Sequence, residues 1–313
     1  MASILVFSER AELAFELLGK AKDLSGPMGL EVAAAVFGPA DPKEYQGRGV
    51  AKILYSNQEQ LKDFEASVYA QALAEAARAA DASLILISST RRGKELAGRL
   101  AQKLNAGCLT DVKSLEFKEG RLIGVRNSFG GATEAIQSIL TKTRVIAVVP
   151  RSFEPAPAGE GGGAFIDLKL VLTPSRVKTV KRSEKDLGAV DIEGADVLVC
   201  VGKGLTKQED LKMAEELAGA LGGIVACTKP VATDLKWLPE SRIIGLSGKK
   251  GKPRLALCLG ISGQVQFTVG IREAKTIMAI NTDPNAYIFQ ITDYGMVADL
   301  HQAVPLLTAA IKG

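Results

Sequence analysis

Two short apolar runs near the C-terminus restrict this chain to an open α/β sheet. Residues 255–259 (LALCL) break into Gly260-Ile-Ser-Gly263, and residues 276–280 (TIMAI) break into Asn281-Thr-Asp-Pro284. Runs this short and this apolar read as strands buried on both faces, the habit of parallel sheets. Glycines and short hydrogen-bonding side chains at the carboxyl ends of such strands line the crevice where open α/β sheets take a nucleotide.

The rest of the chain carries the same rhythm. Strands are expected at 4–7, 31–37, 53–55 and 84–87, with helices at 11–24, 69–80 and 95–104, the last placing Leu96, Leu100 and Leu104 on one face. From Val112 the rhythm changes. Residues 112–117 and 122–125 flank the turn Lys118-Glu-Gly120 and read as a hairpin, with further strands at 135–140 and 145–149. Residues 150–164 hold three prolines and a triple glycine and read as a linker. Residues 165–172 are apolar again. Residues 173–194, with Arg176, Lys178, Lys181, Arg182 and Lys185, read as a solvated connector or a contact surface for a partner. Strands then recur at 197–201, 224–227, 243–246, 255–259, 276–280 and 288–291, with helices at 209–221 and 299–311.

The expected fold is therefore α/β in two domains. Residues 1–184 form a parallel sheet with added antiparallel strands and include the linker 151–164. Residues 185–313 form a doubly wound parallel sheet. At 313 residues, 47% of them hydrophobic, the chain can bury two sizeable cores.

Composition removes several classes of function. Lysine and arginine exceed aspartate and glutamate by only four, and aromatics are 5%, which argues against nucleic acid as a partner. No apolar run approaches the ~18 residues that cross a membrane. Residues 1–10 (MASILVFSER) show neither a basic, apolar secretory pattern nor an arginine-rich leader, so a cytoplasmic protein is expected. Cys108, Cys200, Cys227 and Cys258 form no C-x-x-C pair and read as free, reduced thiols. His301 is the single histidine. With no G-x-S-x-G elbow beside it, neither a hydrolytic triad nor a metal site is expected, and His301 reads as a structural residue.

Gly202-Lys-Gly204, at a strand-to-helix turn, begins a dinucleotide fingerprint that Lys207 breaks where a third glycine belongs. Gly260 and Gly263 allow close backbone approach, Ser262 offers a hydroxyl, and the helical pattern from Gln264 would aim N–H groups at an anion. Asn281, Asp283 and Asp299 lie at strand and helix ends, where they either cap helices or bond a ribose.

GISGQVQF followed by AINTDPNAYIFQITDYGMVADL resembles the α subunit of electron transfer flavoprotein. The likeness extends through VGKGLTKQED, ACTKPVATD and IGLSG, and into the first half at SSTRRGKELAGRLAQKLNAGCLTDV. ACTKPVATDLKW and Gln264 place it nearest the branch associated with nitrogen fixation and carnitine metabolism. The resemblance implies FAD in the second domain and a heterodimer with a β subunit holding AMP or a second FAD. It implies an electron carrier with no substrate-turnover site of its own. Electrons would come from acyl-CoA dehydrogenase-type flavoenzymes and leave to a quinone reductase, a ferredoxin or a flavodoxin. A bifurcating complex and a redox-inactive nucleotide-binding scaffold remain as alternatives; a stand-alone NAD-dependent dehydrogenase is disfavoured by the broken fingerprint.

The same resemblance implies the cofactor contacts. Lys203 and Lys229 stand where the family has arginine, and Thr228 where it has serine. Ser247 and Gly248 fall beside the flavin N5 edge, with Gly260, Ser262, Gly263 and Gln266 around the pyrophosphate and ribityl chain. Asn281, Asp283 and Asp299 fall at the adenosine end, and Phe267 replaces a histidine by the flavin C2 carbonyl. Lysine keeps the charge of arginine but loses its planar fork. Together with the missing histidine, this implies weaker stabilisation of the reduced, anionic flavin than is usual in the family.

Overall fold

A computed structural model of the chain describes residues 2–131, 133–159, 162–177, 180 and 191–313. The chain divides into two compact units, Met1–Lys181 and Arg182–Gly313. The expected boundary at 184/185, and Lys178, Lys181, Arg182 and Lys185 of the basic connector, lie outside the described residues.

The first unit is built on nine strands: β1 (Ser3–Phe7), β2 (Glu31–Phe37), β3 (Lys52–Ser56), β4 (Ala82–Ser88), β5 (Gly107–Lys118), β6 (Arg121–Ser128), β7 (Thr133–Ser138), β8 (Arg144–Val148) and β9 (Ala164–Asp167). They lie in the order β7-β6-β5-β8-β4-β1-β2-β3-β9. The strands β8, β4, β1, β2, β3 and β9 run parallel, and β5-β6-β7 form an antiparallel arm. The change of sense happens within β5. Its start pairs parallel with β8, its register shifts between Leu109 and Val112, where Asp111 has φ 57°, and its far half pairs antiparallel with β6. A bulge of this kind bends the strand out of one ladder and into another. The helices α1 (Ala11–Met28), α2 (Ala66–Ala79) and α3 (Arg91–Leu104) complete the unit. Leu5, Leu54 and Ile85 bury against α2 and α3, while Ile4, Val6 and Leu84 bury against α1, so both faces of the central strands carry an apolar layer.

The second unit is a five-stranded sheet of β10 (Val197–Val201), β11 (Ile224–Cys227), β12 (Leu255–Leu259), β13 (Thr276–Asn281) and β14 (Tyr294–Val297). All pairs are parallel, in the order β11-β10-β12-β13-β14. The chain moves outward from β10 to β11, returns to the other side of β10 as β12, and continues away from it. The switch point between β10 and β12 is where a doubly wound sheet opens a crevice at the carboxyl ends of its strands. The helices α4 (Leu211–Ala220) and α7 (Leu300–Lys312) cover one face over Val199, Val201, Leu257 and Leu259. Ile261, Phe267, Ile271 and Ile288, from the loops and one-turn helices after β12 and β13, cover the other over Leu198, Cys200, Ala256 and Cys258.

Two sequence expectations fail here. Residues 288–291 are not a strand: Tyr287–Gln290 form a 3-10 turn that buries Ile288, and the last strand is β14, whose four residues are all exposed. Residues 243–246 also form no sheet strand. Ile243 makes one isolated bridge to Cys227, and at Gly245 (φ 130°) the chain turns, with the carbonyl of Gln266 2.3 Å from the position a Cβ would take. Among the described residues, no helix is long and apolar enough to cross a membrane.

Candidate functional site

Parallel pairing of all five strands puts every loop named from the sequence in the second unit at one edge of the sheet. Lys203 follows β10, Thr228 and Lys229 follow β11, residues 260–266 follow β12, and Asn281 and Asp283 end or follow β13. Asp299 follows β14 at the start of α7.

The glycines at the switch point serve the protein's own backbone first. Gly204 donates its N–H to the carbonyl of Gly260 (2.9 Å), and a Cβ on Gly260, at φ 60°, would lie 2.6 Å from the Cα of Gly204. A Cβ on Gly202 would meet the same carbonyl oxygen at 2.4 Å. The loops after β10 and β12 are thus knitted together, and only hydrogen fits between them. A Cβ on Gly263 (φ 88°) would fall 2.1 Å from the backbone nitrogen of Ile288. The Cβ directions of Gly260 and Gly263 are occupied by neighbouring chain.

What faces outward is the N–H side of that loop. The carbonyl of Ile261 accepts from Asn281 Nδ2 (2.9 Å), and that of Ser262 from the Ile288 N–H (3.0 Å). The carbonyl of Gln264 takes the N–H groups of Phe267 and Thr268, opening the single turn α6 (Val265–Thr268). Because N–H and C=O of one peptide point in opposite directions, these bonds turn the next N–H groups away from the protein. The N–H groups of residues 262–266 have no hydrogen-bond acceptor among the described residues. Successive unpaired N–H groups form an anion-binding concavity.

Cationic and hydroxyl groups stand on loops at the same end of the sheet. Lys203 and Lys229 are exposed and form no salt bridge among the described residues. The hydroxyls of Thr228, Ser247 and Ser262 make no hydrogen bond there either, although Thr228 occupies the N-cap of α5 (Lys229–Thr233). The Ser247–Gly248 turn is tied to the loop after β12, since the Leu246 N–H donates to the Gln266 carbonyl at 2.7 Å. The side chains of Gln266, Leu246 and Val265 are exposed there, the two apolar ones at 64% and 61%.

At the other end, Asp299 caps α7, accepting the His301 N–H on Oδ1 (2.7 Å) and leaving Oδ2 without a bond. Asp283 accepts the Asn285 N–H (2.9 Å) in a turn of its own. Asn281 has both ends of its carboxamide engaged, with Oδ1 taking the Asp283 N–H at 3.0 Å. The ring of Phe267 is only 6% exposed and packs in the apolar cluster with Ile244, Ile261, Ile271 and Ile288. It forms part of the floor beneath the loop rather than its surface.

The residue pattern left one tie unread. Asp210 accepts the N–H groups of Thr206 and Lys207 at 3.1 Å, which fixes the loop that follows Gly204, and His301 Nε2 of α7 approaches it at 3.7 Å. Burial pushes the Asp210 carboxyl up, but the two N–H bonds and the His301 ring outweigh this and hold it below the ordinary aspartate value. Only half of a capping box is present, the Lys207 N–H on Asp210; Lys207 has no acceptor to return the bond, so the residue pattern carries no capping signature there.

Residues 191–272, which include β10, β11, β12 and the donor loop, match the family described as "Electron transfer flavoprotein FAD-binding domain". Residues 4–171 match "Electron transfer flavoprotein domain". The chain belongs to the electron transfer flavoprotein family.

It is an α-type subunit of the branch that contains the FixB proteins. Protein FixB of Salmonella paratyphi A is 32% identical over 313 residues, covering 99% of this chain and 98% of that protein. The putative electron transfer flavoprotein subunit YdiR of Escherichia coli K12 is 33% identical over 311 residues, covering 99% and 98%. LctC of Acetobacterium woodii, a subunit of a lactate dehydrogenase named for NAD(+) and ferredoxin, is 35% identical over 307 residues, covering 96% of this chain and 73% of LctC. The shared length with FixB and YdiR takes in both units.

Proposed function

We propose that this flavoprotein subunit binds FAD at the carboxyl edge of its second sheet and, paired with a β subunit, carries electrons between a flavin dehydrogenase and a downstream acceptor. The observation that carries the reading is the run of unpaired N–H groups at 262–266, with Lys203 and Lys229 exposed on loops at the same end of the sheet.

The donor set fits a dinucleotide. A pyrophosphate needs several hydrogen bonds and positive potential, and each N–H bond to a charged oxygen contributes about 1.5–3 kcal/mol. The loop supplies the bonds and the two lysines supply the charge. The free carboxylate oxygen of Asp299 and the side chain of Asp283 suit the hydroxyls of a ribose. Leu246 and Val265, apolar and exposed on either side of the Leu246–Gln266 backbone bond, suit the face of an aromatic ring system, with the Ser247 hydroxyl at its edge. Bound FAD would supply the one- and two-electron chemistry, and the protein's part is to hold it, orient it and set the charge around it. Phe267, Ile261 and Ile288 form a buried apolar floor beneath the donor loop. Acyl-CoA dehydrogenase-type donors, and a quinone reductase, ferredoxin or flavodoxin as acceptor, complete the proposal.

The visible spectrum and flavin content of the chain co-expressed with its β subunit test this. One FAD assigned to this subunit, lost when residues 262–266 are altered, is the expected result. A colourless pair that takes up no added FAD overturns it. The likeness to LctC favours a second reading, an α subunit within a larger complex joined to a dehydrogenase. Stable co-purification with a dehydrogenase subunit, and NADH oxidation coupled to ferredoxin reduction, would select that reading.

A further inference from the structure

We propose that residues 168–175 form a strap closed over α2 with Gln71 as its clasp, so that the connector to the second unit begins at Arg176 and lengthens back to the end of β9 when the clasp opens. This concerns the first unit only and stands whether or not the second unit holds FAD.

The residue pattern turns polar and basic at Thr173, yet the chain does not leave the first unit there. β9 ends at Asp167, and the Leu168 N–H bonds the Tyr55 carbonyl (2.9 Å), which carries the pairing with β3 one residue further. Beyond it the segment has no strand partner among the described residues, and side chains take over. Gln58 Nε2 donates to the Leu170 carbonyl at 3.1 Å. Leu170 and Leu172 bury in the cluster that holds Val68 and Leu73 of α2, while Lys169 and Val171 are exposed. This alternation is that of extended chain lying on an apolar surface. At Thr173 the Gln71 carboxamide takes hold: Oε1 accepts the N–H at 2.9 Å, and Nε2 donates to the carbonyl at 3.1 Å. One side chain thus makes the two bonds that a facing residue makes in an antiparallel ladder. Burial of two leucines is non-directional and tolerates sliding; the paired amide fixes one register. Ser175 still touches the start of α2. Burial pushes the Glu65 carboxyl up, but the Ser67 hydroxyl, the N–H groups of Ser67 and Val68, and the Ser175 hydroxyl outweigh this and hold it below the ordinary glutamate value. Arg176 and Val177 are exposed, and the Val177 N–H turns back onto Ser175 Oγ at 2.9 Å.

Gln71→Leu keeps the bulk and the helix propensity of the side chain and removes both bonds. Limited trypsin digestion and amide hydrogen exchange of the full chain, in complex with its β subunit, read the result. In the parent, the bond after Arg176 should be cut much faster than the bond after Lys169, which lies inside the strap. In the variant, cleavage after Lys169 and exchange of the Thr173 N–H should each rise about tenfold, as expected for two neutral hydrogen bonds at a partly exposed site. Cleavage after Arg176 should change by less than about twofold. Thr173→Pro removes the N–H from the strap side and leaves α2 untouched; it should give the same rise after Lys169, and it serves if the first variant does not fold. Parent cleavage after Lys169 as fast as after Arg176 would show that the strap is not closed and overturn the proposal. Cleavage after Lys169 within about twofold of the parent in both variants would leave Gln71 no role as a clasp. An equal rise after Lys20 of α1, on the opposite face of the sheet, would mean general loosening of the unit and overturn it as well.

Discussion

Replacing Gly263 by alanine puts the architecture of the donor loop to its hardest test. The new Cβ would lie 2.1 Å from the nitrogen of Ile288, 2.4 Å from its Cα and 2.7 Å from the carbonyl carbon of Tyr287. All three are backbone atoms, so no side chain can swing aside, and the 3-10 turn at Tyr287–Gln290 must retreat by roughly 1 Å to reach ordinary contact distance. That retreat breaks the Ile288-to-Ser262 hydrogen bond, worth about 1 kcal/mol. It also shifts the fully buried Ile288, an overpacking cost of about 1–3 kcal/mol. The φ of 88° adds about 1–2 kcal/mol for any residue with a Cβ. The whole effect is about 3–6 kcal/mol, a large share of what holds a unit of this size together. Thermal unfolding of the second unit should fall by about 10–20 °C, and FAD affinity should fall with it. The control is Gly219→Ala on the exposed face of α4, where a Cβ meets nothing within 4 Å. It should stabilise by about 0.5–1 kcal/mol through helix propensity. If Gly263→Ala unfolds within about 3 °C of the parent and keeps its FAD affinity, the packing account of the loop is wrong.

Other outcomes follow from the same architecture. Lys203→Ala and Lys229→Ala should each weaken FAD binding about two- to fivefold, as expected for exposed charges, and flatten its dependence on ionic strength in fluorescence titrations. Asp210 is held below its ordinary value, so its contribution to stability is complete above the unfolded carboxylate pKa and is lost as pH falls through the lower folded value. Asp210→Asn should therefore destabilise at neutral pH and remove part of the acid-side loss, below about pH 4, seen in urea midpoints of the parent. At pH 8, a thiol reagent should label the half-buried Cys108 first and leave Cys200, Cys227 and Cys258 unreacted until the protein unfolds. Burial pushes the Cys227 thiol up to about 12, and the Cys200 thiol is raised through its hydrogen bond with Cys258 and by burial. Rapid modification of all four in the native state would contradict this.

Strands buried on both faces were legible because the solvent contrast that forms them is written in local apolar runs. Glu31–Phe37, Ile224–Cys227 and Leu255–Leu259 have the bounds that the sequence predicts. The failures came where a run of apolar residues has some other destination. Ile288 and Ile291 are apolar because they pack under the loop after β12, as part of a turn rather than a strand. The true edge strand, Tyr294–Val297, buries none of its residues, so no alternation marks it; only pairing with β13 makes it a strand. Ile243 and Ile244 bury in opposite apolar clusters, as neighbours in a strand do, but the chain turns at Gly245 before a ladder can form.

The sequence by itself determined the α/β class, the alternation of strands and helices, the positions of the loops and the family, because each depends on residue type read over a short window or on a long specific motif. The tertiary structure alone decided what those loop residues do. Gly260 and Gly263 read as allowing close backbone approach; only packing shows that backbone of Gly204 and Ile288 lies on their Cβ sides. Asn281 read as a nucleoside contact; only the fold shows its carboxamide bonding the Ile261 carbonyl, twenty residues away, as well as the Asp283 N–H. Phe267 read as standing where the family has a histidine by the flavin; its side chain is buried in the floor beneath the loop. The physical reason is common to all three. A polar atom or an empty Cβ position has a role only relative to what stands opposite it, and across parallel strands what stands opposite comes from distant sequence.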